Sequence, residues 1–135
     1  MTVLVDTSVW SLALRREVPS SSKETAELAE LVRDGQVVII GAIRQELLSG
    51  LRSEAQFKNL RQRLRAFPDI PLGEADHEEA AACFNMCRGR GIQGSNTDFL
   101  ICAVAKLRGL AIFTMDKDFL SFSKLLKIRL HATRK

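Results

Sequence analysis

The segment Thr2-Val3-Leu4-Val5-Asp6 places an acidic residue directly after an apolar run that is typical of a buried strand. The segment Thr114-Met115-Asp116-Lys117-Asp118 follows the apolar run 110–113 in the same way. In a parallel α/β sheet the carboxyl ends of the strands share one edge. We therefore expect Asp6, Asp116 and Asp118 to lie near one another in the folded chain.

Two further acidic motifs, Arg44-Gln45-Glu46-Leu47-Leu48 and Asn96-Thr97-Asp98, lie between these segments. Glu46 comes soon after the apolar run Val37-Val38-Ile39-Ile40. Two carboxylates about 4 Å apart repel by roughly 4 kcal/mol at an effective dielectric near 20, so a cluster needs protons, cationic partners or a metal ion. A hard cation is the simplest explanation, because Mg²⁺ and Mn²⁺ prefer oxygen ligands and complete their shell with water and phosphate.

Each acidic residue taken alone has an ordinary structural explanation. Asp6 is a good helix cap, and Asp98 is favoured in a first helical turn by the helix dipole. Glu46 borders an apolar stripe and is expected to be solvated, whereas Asp116 and Asp118 are typical turn residues. These alternatives do not explain why all of the acidic motifs fall at positions that a parallel sheet brings to one edge.

Strand and helix patterns alternate along the whole chain, which predicts an α/β fold with a mostly parallel central sheet of about five strands. No linker or repeat interrupts the pattern, so residues 1–135 are expected to form a single domain. The predicted strands are 2–6, 37–40, 69–72, 110–114 and 127–131, and the predicted helices are 7–15, 22–35, one that begins at Gly41, 53–66, 73–88, 95–109 and 119–126.

The chain has 135 residues, a net charge of +4 and a pI near 9.3, which favours an anionic partner. Cys83, Cys87 and Cys102 lie in apolar helical segments and are predicted to fill the core as free thiols. His77 and His131 stand alone, so zinc is not expected. The sequence shows no signal segment and no apolar run of about 18 residues, and we expect a cytoplasmic protein without a membrane span.

Four motifs together resemble those of the PIN-domain ribonucleases, in particular the VapC-type toxins of VapBC toxin–antitoxin pairs. They are Val5-Asp6-Thr7-Ser8-Val9-Trp10, Glu46-Leu47-Leu48-Ser49-Gly50-Leu51, Asn96-Thr97-Asp98-Phe99-Leu100-Ile101 and Phe113-Thr114-Met115-Asp116-Lys117-Asp118-Phe119. The resemblance spans nearly the whole chain, and Phe99 departs from the small residue that is common after the family's third acid. It implies a PIN-like three-layer α/β/α fold and a Mg²⁺- or Mn²⁺-dependent endoribonuclease, a hydrolase acting on ester bonds.

The resemblance also implies roles for individual residues. Asp6, Glu46, Asp98 and Asp116 would form the catalytic set, with Asp6 and Asp98 as the first metal ligands and Asp116 next. Glu46 would bind a second ion or act through water, and Asp118 would be an outer ligand or a turn residue. Four neutral side chains would orient the carboxylates and water, although capping explains two of them equally well: Thr7, Ser8, Asn96 and Thr114.

RNA must bring its phosphates to an acidic edge, so basic residues around that edge are expected to supply affinity. The candidates are Arg15, Arg16, Arg44, Arg52, Lys58, Arg61, Arg65 and Lys117. A solvated helix face is an equally good explanation for Lys58, Arg61 and Arg65. The resemblance further implies a VapB-type antitoxin as a partner and a homodimer within a hetero-oligomeric complex. Trp10 and Leu14 are candidates for the homodimer interface. Packing in the core is the alternative explanation for Trp10.

Two other classes of protein place aspartate at strand ends or keep this fold. A receiver or haloacid-dehalogenase type phosphotransfer domain also uses Asp beside Mg²⁺, but Asp6-Thr7-Ser8 lacks the second Asp two positions on. A catalytically silent module could retain the fold for binding RNA or protein. The intact set of acidic residues argues against the silent module.

Overall fold

The computed structural model describes residues 2–14 and 22–134, and within these ranges short strands alternate with helices. The strands are β1 (Val3–Val5), β2 (Val37–Val38) and β3 (Ala111–Phe113). The helices are α1 (Thr7–Leu14), α2 (Lys23–Arg33), α3 (Gly41–Leu48), α4 (Glu54–Leu64), α5 (Glu74–Arg88), α6 (Asn96–Arg108) and α7 (Asp118–Leu126).

The sheet is parallel, with β1 in the centre and the order β2-β1-β3. Val3, Leu4 and Val5 are all fully buried. Because successive strand residues point to opposite faces, both faces of β1 must be covered by other elements. The α/β class with a parallel sheet is thereby confirmed.

The number of strands differs from the expected five, since three are formed in the described residues. The segments predicted as strands 69–72 and 127–131 each join the sheet through a single parallel bridge, Asp69 to Ile39 and Leu130 to Ile112. Pro71 has no N–H, so the first of these cannot continue its ladder. Lys127 has a left-handed φ of 58°, which ends α7. The segment 127–131 therefore reaches the sheet only at Leu130.

Serine caps begin three of the helices, at the positions where the sequence predicts those helices to start. Ser22, Ser53 and Ser95 each accept the N–H of the residue three positions later. Gly35, with φ 67°, follows α2 at the position where a left-handed residue is favoured. The predicted end of the first helix at Arg15 lies outside the described residues.

Trp10 belongs to the core rather than to a surface. It is 1% exposed and packs edge-on against Phe67, with 5.1 Å between ring centroids, so the core-packing alternative is correct. Leu14 is half-buried.

The three cysteines are buried and free, and burial raises the pKa of Cys83 to about 11. No helix in the described part of the chain is long and apolar enough to cross a membrane.

A buried carboxylate joins the start of α5 to the end of α6. Asp76 is 4% exposed, accepts the Gly73 N–H at 2.9 Å and pairs with the guanidinium of Arg108. The hydrogen bonds from Arg108 and then from Gly73 lower the pKa of Asp76, although burial acts in the opposite direction. A carboxyl whose folded pKa is lowered stabilises the fold above its unfolded pKa, near 4, and loses that contribution as the pH falls through the folded pKa.

We expect Asp76→Asn to lower the free energy of unfolding by about 1 to 3 kcal/mol at pH 7, because the buried charge-assisted bonds are lost. The difference from the unsubstituted protein should shrink as the pH falls below the unfolded pKa near 4, and it should vanish below the lowered pKa at which Asp76 is protonated in the folded protein. Urea unfolding across this pH range measures both effects. Glu78→Gln, an exposed acid on the same helix, is the matched control. A pH-independent difference would contradict the linkage.

Candidate active site

Asp6 occupies the carboxyl end of the central strand and is held there by two hydroxyl groups. It is 6% exposed, and its Oδ2 atom accepts hydrogen bonds from Ser8 Oγ and Thr114 Oγ1, both at 2.8 Å. Its backbone N–H donates to the carbonyl of Phe113 at 2.8 Å, and its own carbonyl accepts from Val9 at the start of α1. The side chain is therefore fixed between the ends of β1 and β3.

The loop that follows β3 is tied to the same point. The Met115 N–H donates to Ser8 Oγ at 3.0 Å, and the Asp116 N–H donates to Thr114 Oγ1 at 3.0 Å. Asp116 Oδ1 in turn accepts the Asp118 N–H at 2.9 Å, which starts α7. Asp116 is therefore a turn residue, as the structural alternative predicts, and its side chain is exposed at the sheet edge.

Asp98 forms a reciprocal capping box with Ser95. The Ser95 Oγ accepts the Asp98 N–H at 3.1 Å, and Asp98 Oδ2 accepts the Ser95 N–H at 3.0 Å. Burial raises the pKa of Asp98, and the negative charges of Asp6 and Asp116 add to the rise, although both hydrogen bonds with Ser95 oppose it. Asp98 therefore lies close enough to Asp6 and Asp116 for their charges to act on it.

Glu46 reaches the same edge through Thr7. Thr7 Oγ1 donates to Glu46 Oε1 at 2.6 Å, which links α3 to the first residue of α1. The Glu46 side chain is exposed, which agrees with the alternative that it is a solvated surface residue. It is also oriented by Thr7, the residue next to Asp6. The structure therefore brings all four predicted acidic motifs to one edge of the sheet.

In residues 2–14 and 22–134, no three His, Cys, Asp or Glu side chains are placed together as a ready-made metal-ligating group. Mg²⁺ in proteins is held by one or two carboxylates, with waters and substrate phosphate completing the shell. Two of the roughly four acceptor positions of the Asp6 carboxylate are used by hydroxyls, which leaves the others for a cation. The donor set, carboxylate and hydroxyl oxygens with mutual repulsion at Asp98, fits a hard divalent ion.

The basic residues predicted to contact phosphate differ in their surroundings. Arg44 donates to Asp69 Oδ1 at 2.9 Å and to the carbonyls of Leu64 and Phe67, so its guanidinium is engaged within the fold. Lys58 pairs with exposed Glu54 at 2.9 Å. The guanidinium of Arg61 lies 5.7 Å from the centroid of the Phe57 ring. Three of the candidates are exposed: Arg52, Arg65 and Lys117. The two remaining candidates, Arg15 and Arg16, lie outside the described residues.

Two groups that position the site were not among the predicted site residues. Ser95 holds Asp98 through the capping box, and its signal was present in the Ser95-Asn96-Thr97-Asp98 spacing, which matches a capping motif. The sequence offers Ser95 or Asn96 as the cap of this helix, and the cap is Ser95, since Asn96 is the first helical residue. The backbone N–H of Met115 contacts Ser8, and no residue type signals such a contact.

A family profile for the PIN domain matches residues 3–125. No curated protein sequence matches the chain. The protein belongs to the PIN domain family.

Solved structures with the same fold cover nearly the entire chain. FitAcB from Neisseria gonorrhoeae has a TM-score of 0.78 at 21% identity, with 98% of each chain covered. VapBC2 from Rickettsia felis, bound to a DNA fragment from its promoter, has a TM-score of 0.75 at 16% identity, with 97% of this chain and 98% of that chain covered. VapBC-5 from Mycobacterium tuberculosis, a member of the VapBC family of toxin-antitoxin systems, has a TM-score of 0.68 at 17% identity, with 96% and 98% covered.

We expect Ser8→Ala to loosen the loop after β3, because Ser8 Oγ joins the Met115 N–H to the Asp6 carboxylate. The free energy of unfolding should fall by about 0.5 to 1.5 kcal/mol, the usual contribution of a hydrogen bond. Hydrogen exchange at the Met115 amide should become faster. Ser49→Ala, which removes a hydroxyl bonded to the Gln45 carbonyl at the end of α3, should leave that amide unchanged. Equal protection of Met115 in all three proteins would contradict the assigned contact.

Proposed function

We propose that this protein is a metal-dependent endoribonuclease and acts as the toxin of a VapBC-type toxin–antitoxin pair. The observation that carries the proposal is the carboxylate edge, where Ser8 and Thr114 hold Asp6, Thr7 orients Glu46, and Asp98 lies near the charges of Asp6 and Asp116. PIN family membership and the fold shared with VapBC proteins support it. The phosphotransfer alternative gains no support from these observations.

Asp6 and Asp98 would be the principal ligands of Mg²⁺ or Mn²⁺, with Asp116 and Glu46 contributing and Asp118 farther out. The chemistry supplied by such an ion is polarisation of the phosphate and a lowered pKa of bound water. Ser8 and Thr114 keep the Asp6 carboxylate in one orientation, and Ser95 does the same for Asp98. A hydrogen bond to a metal-ligating carboxylate fixes the direction in which that carboxylate can bind the cation.

The chain offers no competing thiol nucleophile among its described residues. Burial raises the pKa of Cys83, Cys87 and Cys102, so all three thiols stay protonated at neutral pH. Phosphodiester cleavage at the carboxylate edge would therefore not use a cysteine nucleophile, and a water activated by the metal ion would take that role.

The expected partners follow from charge. RNA would be attracted by the net charge of +4 and by exposed Arg52, Arg65 and Lys117. A VapB-type antitoxin would silence the site by covering it, and a cationic antitoxin side chain would offset the repulsion among the carboxylates. A homodimer within a larger toxin–antitoxin complex is part of the same proposal.

Cleavage of total RNA by antitoxin-free protein tests the function. We expect discrete fragments with Mg²⁺ or Mn²⁺ and none after addition of a chelator. Asp98→Asn should reduce the cleavage rate by about 100-fold or more, about 2.7 kcal/mol of transition-state stabilisation, because one ligand charge is removed. The asparagine oxygen still accepts the Ser95 N–H, so the capping box and the fold are preserved.

Asp34→Asn is the matched control, because Asp34 precedes β2 and therefore lies at the amino end of the sheet. It should cleave like the unsubstituted protein. Intact RNA in every reaction, with folding confirmed by circular dichroism, would reject the nuclease and favour a silent binding module. Full activity of Asp98→Asn would reject the site assignment while leaving the function standing.

A further inference from the structure

A buried carboxylate on α2 holds residues 128–134, which we name the C-terminal segment. Glu27 is 4% exposed, and its Oε2 atom lies 2.7 Å from Nε2 of His131. The same atom lies 3.3 Å from Nε of Arg134, and Glu27 Oε1 accepts the Arg134 N–H at 3.4 Å. A carboxylate with so little exposure is stable as an anion only when it has partners of this kind.

The charge state of Glu27 fixes the proton on His131. Burial acts to raise the pKa of Glu27, but the hydrogen bonds from His131 and from the Arg134 N–H lower it below its ordinary value, and the charges of both residues add to the lowering. Glu27 is therefore an anion at neutral pH. An ionised carboxylate only accepts hydrogen bonds, so Nε2 of His131 carries the proton in this contact.

His131 connects the buried carboxylate to β3. Its ring packs edge-on against the ring of Phe113, with 5.3 Å between centroids. Its backbone N–H donates to the carbonyl of Ile112 at 2.7 Å, and the Ile112 N–H donates to the carbonyl of Arg129 at 3.0 Å. These two bonds make up the single bridge between the C-terminal segment and β3. The side chain of His131 therefore adds substantially to the few backbone bonds that hold the segment against this strand.

β3 ends at the carboxylate edge. The carbonyl of Phe113, its last residue, accepts the Asp6 N–H at 2.8 Å. Thr114 follows and donates to Asp6 Oδ2, and its hydroxyl also accepts the Asp116 N–H. A shift of the end of β3 would therefore move both the hydroxyl that orients Asp6 and the loop that carries Asp116.

A metal site responds to smaller shifts than a hydrophobic core does, because the distance from a cation to each ligand atom is fixed to within about 0.2 Å. We propose that Glu27 and His131 are positioning residues for the divalent cation: they fix the end of β3 through Phe113, and Thr114 transmits this position to Asp6 and Asp116. The inference rests on the proposed metal-dependent function. It adds two residues that form none of the hydrogen bonds of the carboxylate edge and belong to none of the acidic motifs.

Mn²⁺ binding, measured from the electron paramagnetic resonance signal of the free ion, tests the inference. His131→Leu removes both the hydrogen bond to Glu27 and the ring contact with Phe113. We expect it to raise the Kd for Mn²⁺ by about tenfold, the scale found for groups that orient metal ligands. His131→Gln should restore most of the affinity, because the glutamine amide can still donate to Glu27.

Asp76→Asn is the matched control, because it also disrupts a buried ion pair, but one that joins the start of α5 to the end of α6. Both Asp76→Asn and His131→Leu should unfold at lower urea concentration than the unsubstituted protein. Only His131→Leu should bind Mn²⁺ more weakly. Equal losses of affinity in the two variants, or an unchanged Kd in folded His131→Leu, would make the pair merely stabilising and overturn the inference.

Arg134→Gln keeps the test decisive if His131→Leu does not fold. The Arg134 side chain is 52% exposed, so its replacement should leave the protein folded. It removes one cationic partner of Glu27 and should cause a smaller rise in the Kd for Mn²⁺. If His131→Leu is unfolded, an unchanged Kd in Arg134→Gln would overturn the inference.

Hydrogen exchange of the metal-free proteins follows the same contacts without a cation. The Asp6 and Asp116 amides should exchange faster in His131→Leu, whereas the Asp98 amide, which is bonded to Ser95, should not. Unchanged exchange at Asp6 and Asp116 would overturn the proposed coupling. Absence of Mn²⁺ binding and of RNA cleavage by the unsubstituted protein would instead reject the proposed function, and the inference with it.

Discussion

The position of Asp6 at the end of a strand covered on both faces is the constraint on which the rest of the structure depends. Val3, Leu4 and Val5 have no exposed surface, so β1 cannot shift its register without placing apolar side chains in water. Asp6 therefore always emerges at the same point of the sheet edge. The hydroxyls of Ser8 and Thr114 then join this carboxylate to the loop after β3, and that loop delivers Asp116.

Capping and turn formation do not compete with a role in the site, since the same groups perform both. Asp98 caps α6 through Ser95 and is also the carboxyl whose pKa responds to Asp6 and Asp116. Asp116 starts α7 through one oxygen while its side chain stays exposed at the edge. A carboxylate fixed by local backbone bonds is already oriented, so less conformational entropy is lost when it binds a cation.

The surface around the edge divides into regions of different chemistry. The carboxylates suit a cation, and exposed Lys117 between Asp116 and Asp118 suits a polyanion. The low identity of the solved relatives, 15% to 21% among those that share the fold with VapBC and FitAB proteins, leaves room for such regions to differ between family members.

The sequence by itself determined the alternation of strands and helices, the serine caps and the order of the acidic motifs. These features follow from apolar runs, cap residues and turn residues, each of which acts over a few neighbouring positions. The tertiary structure alone decided which of these local signals meet. It limited the segments after Phe67 and after α7 to single bridges, engaged Arg44 with Asp69 and with two carbonyls, and buried Trp10 against Phe67. These pairings join distant segments, and they depend on the whole core rather than on local residue type.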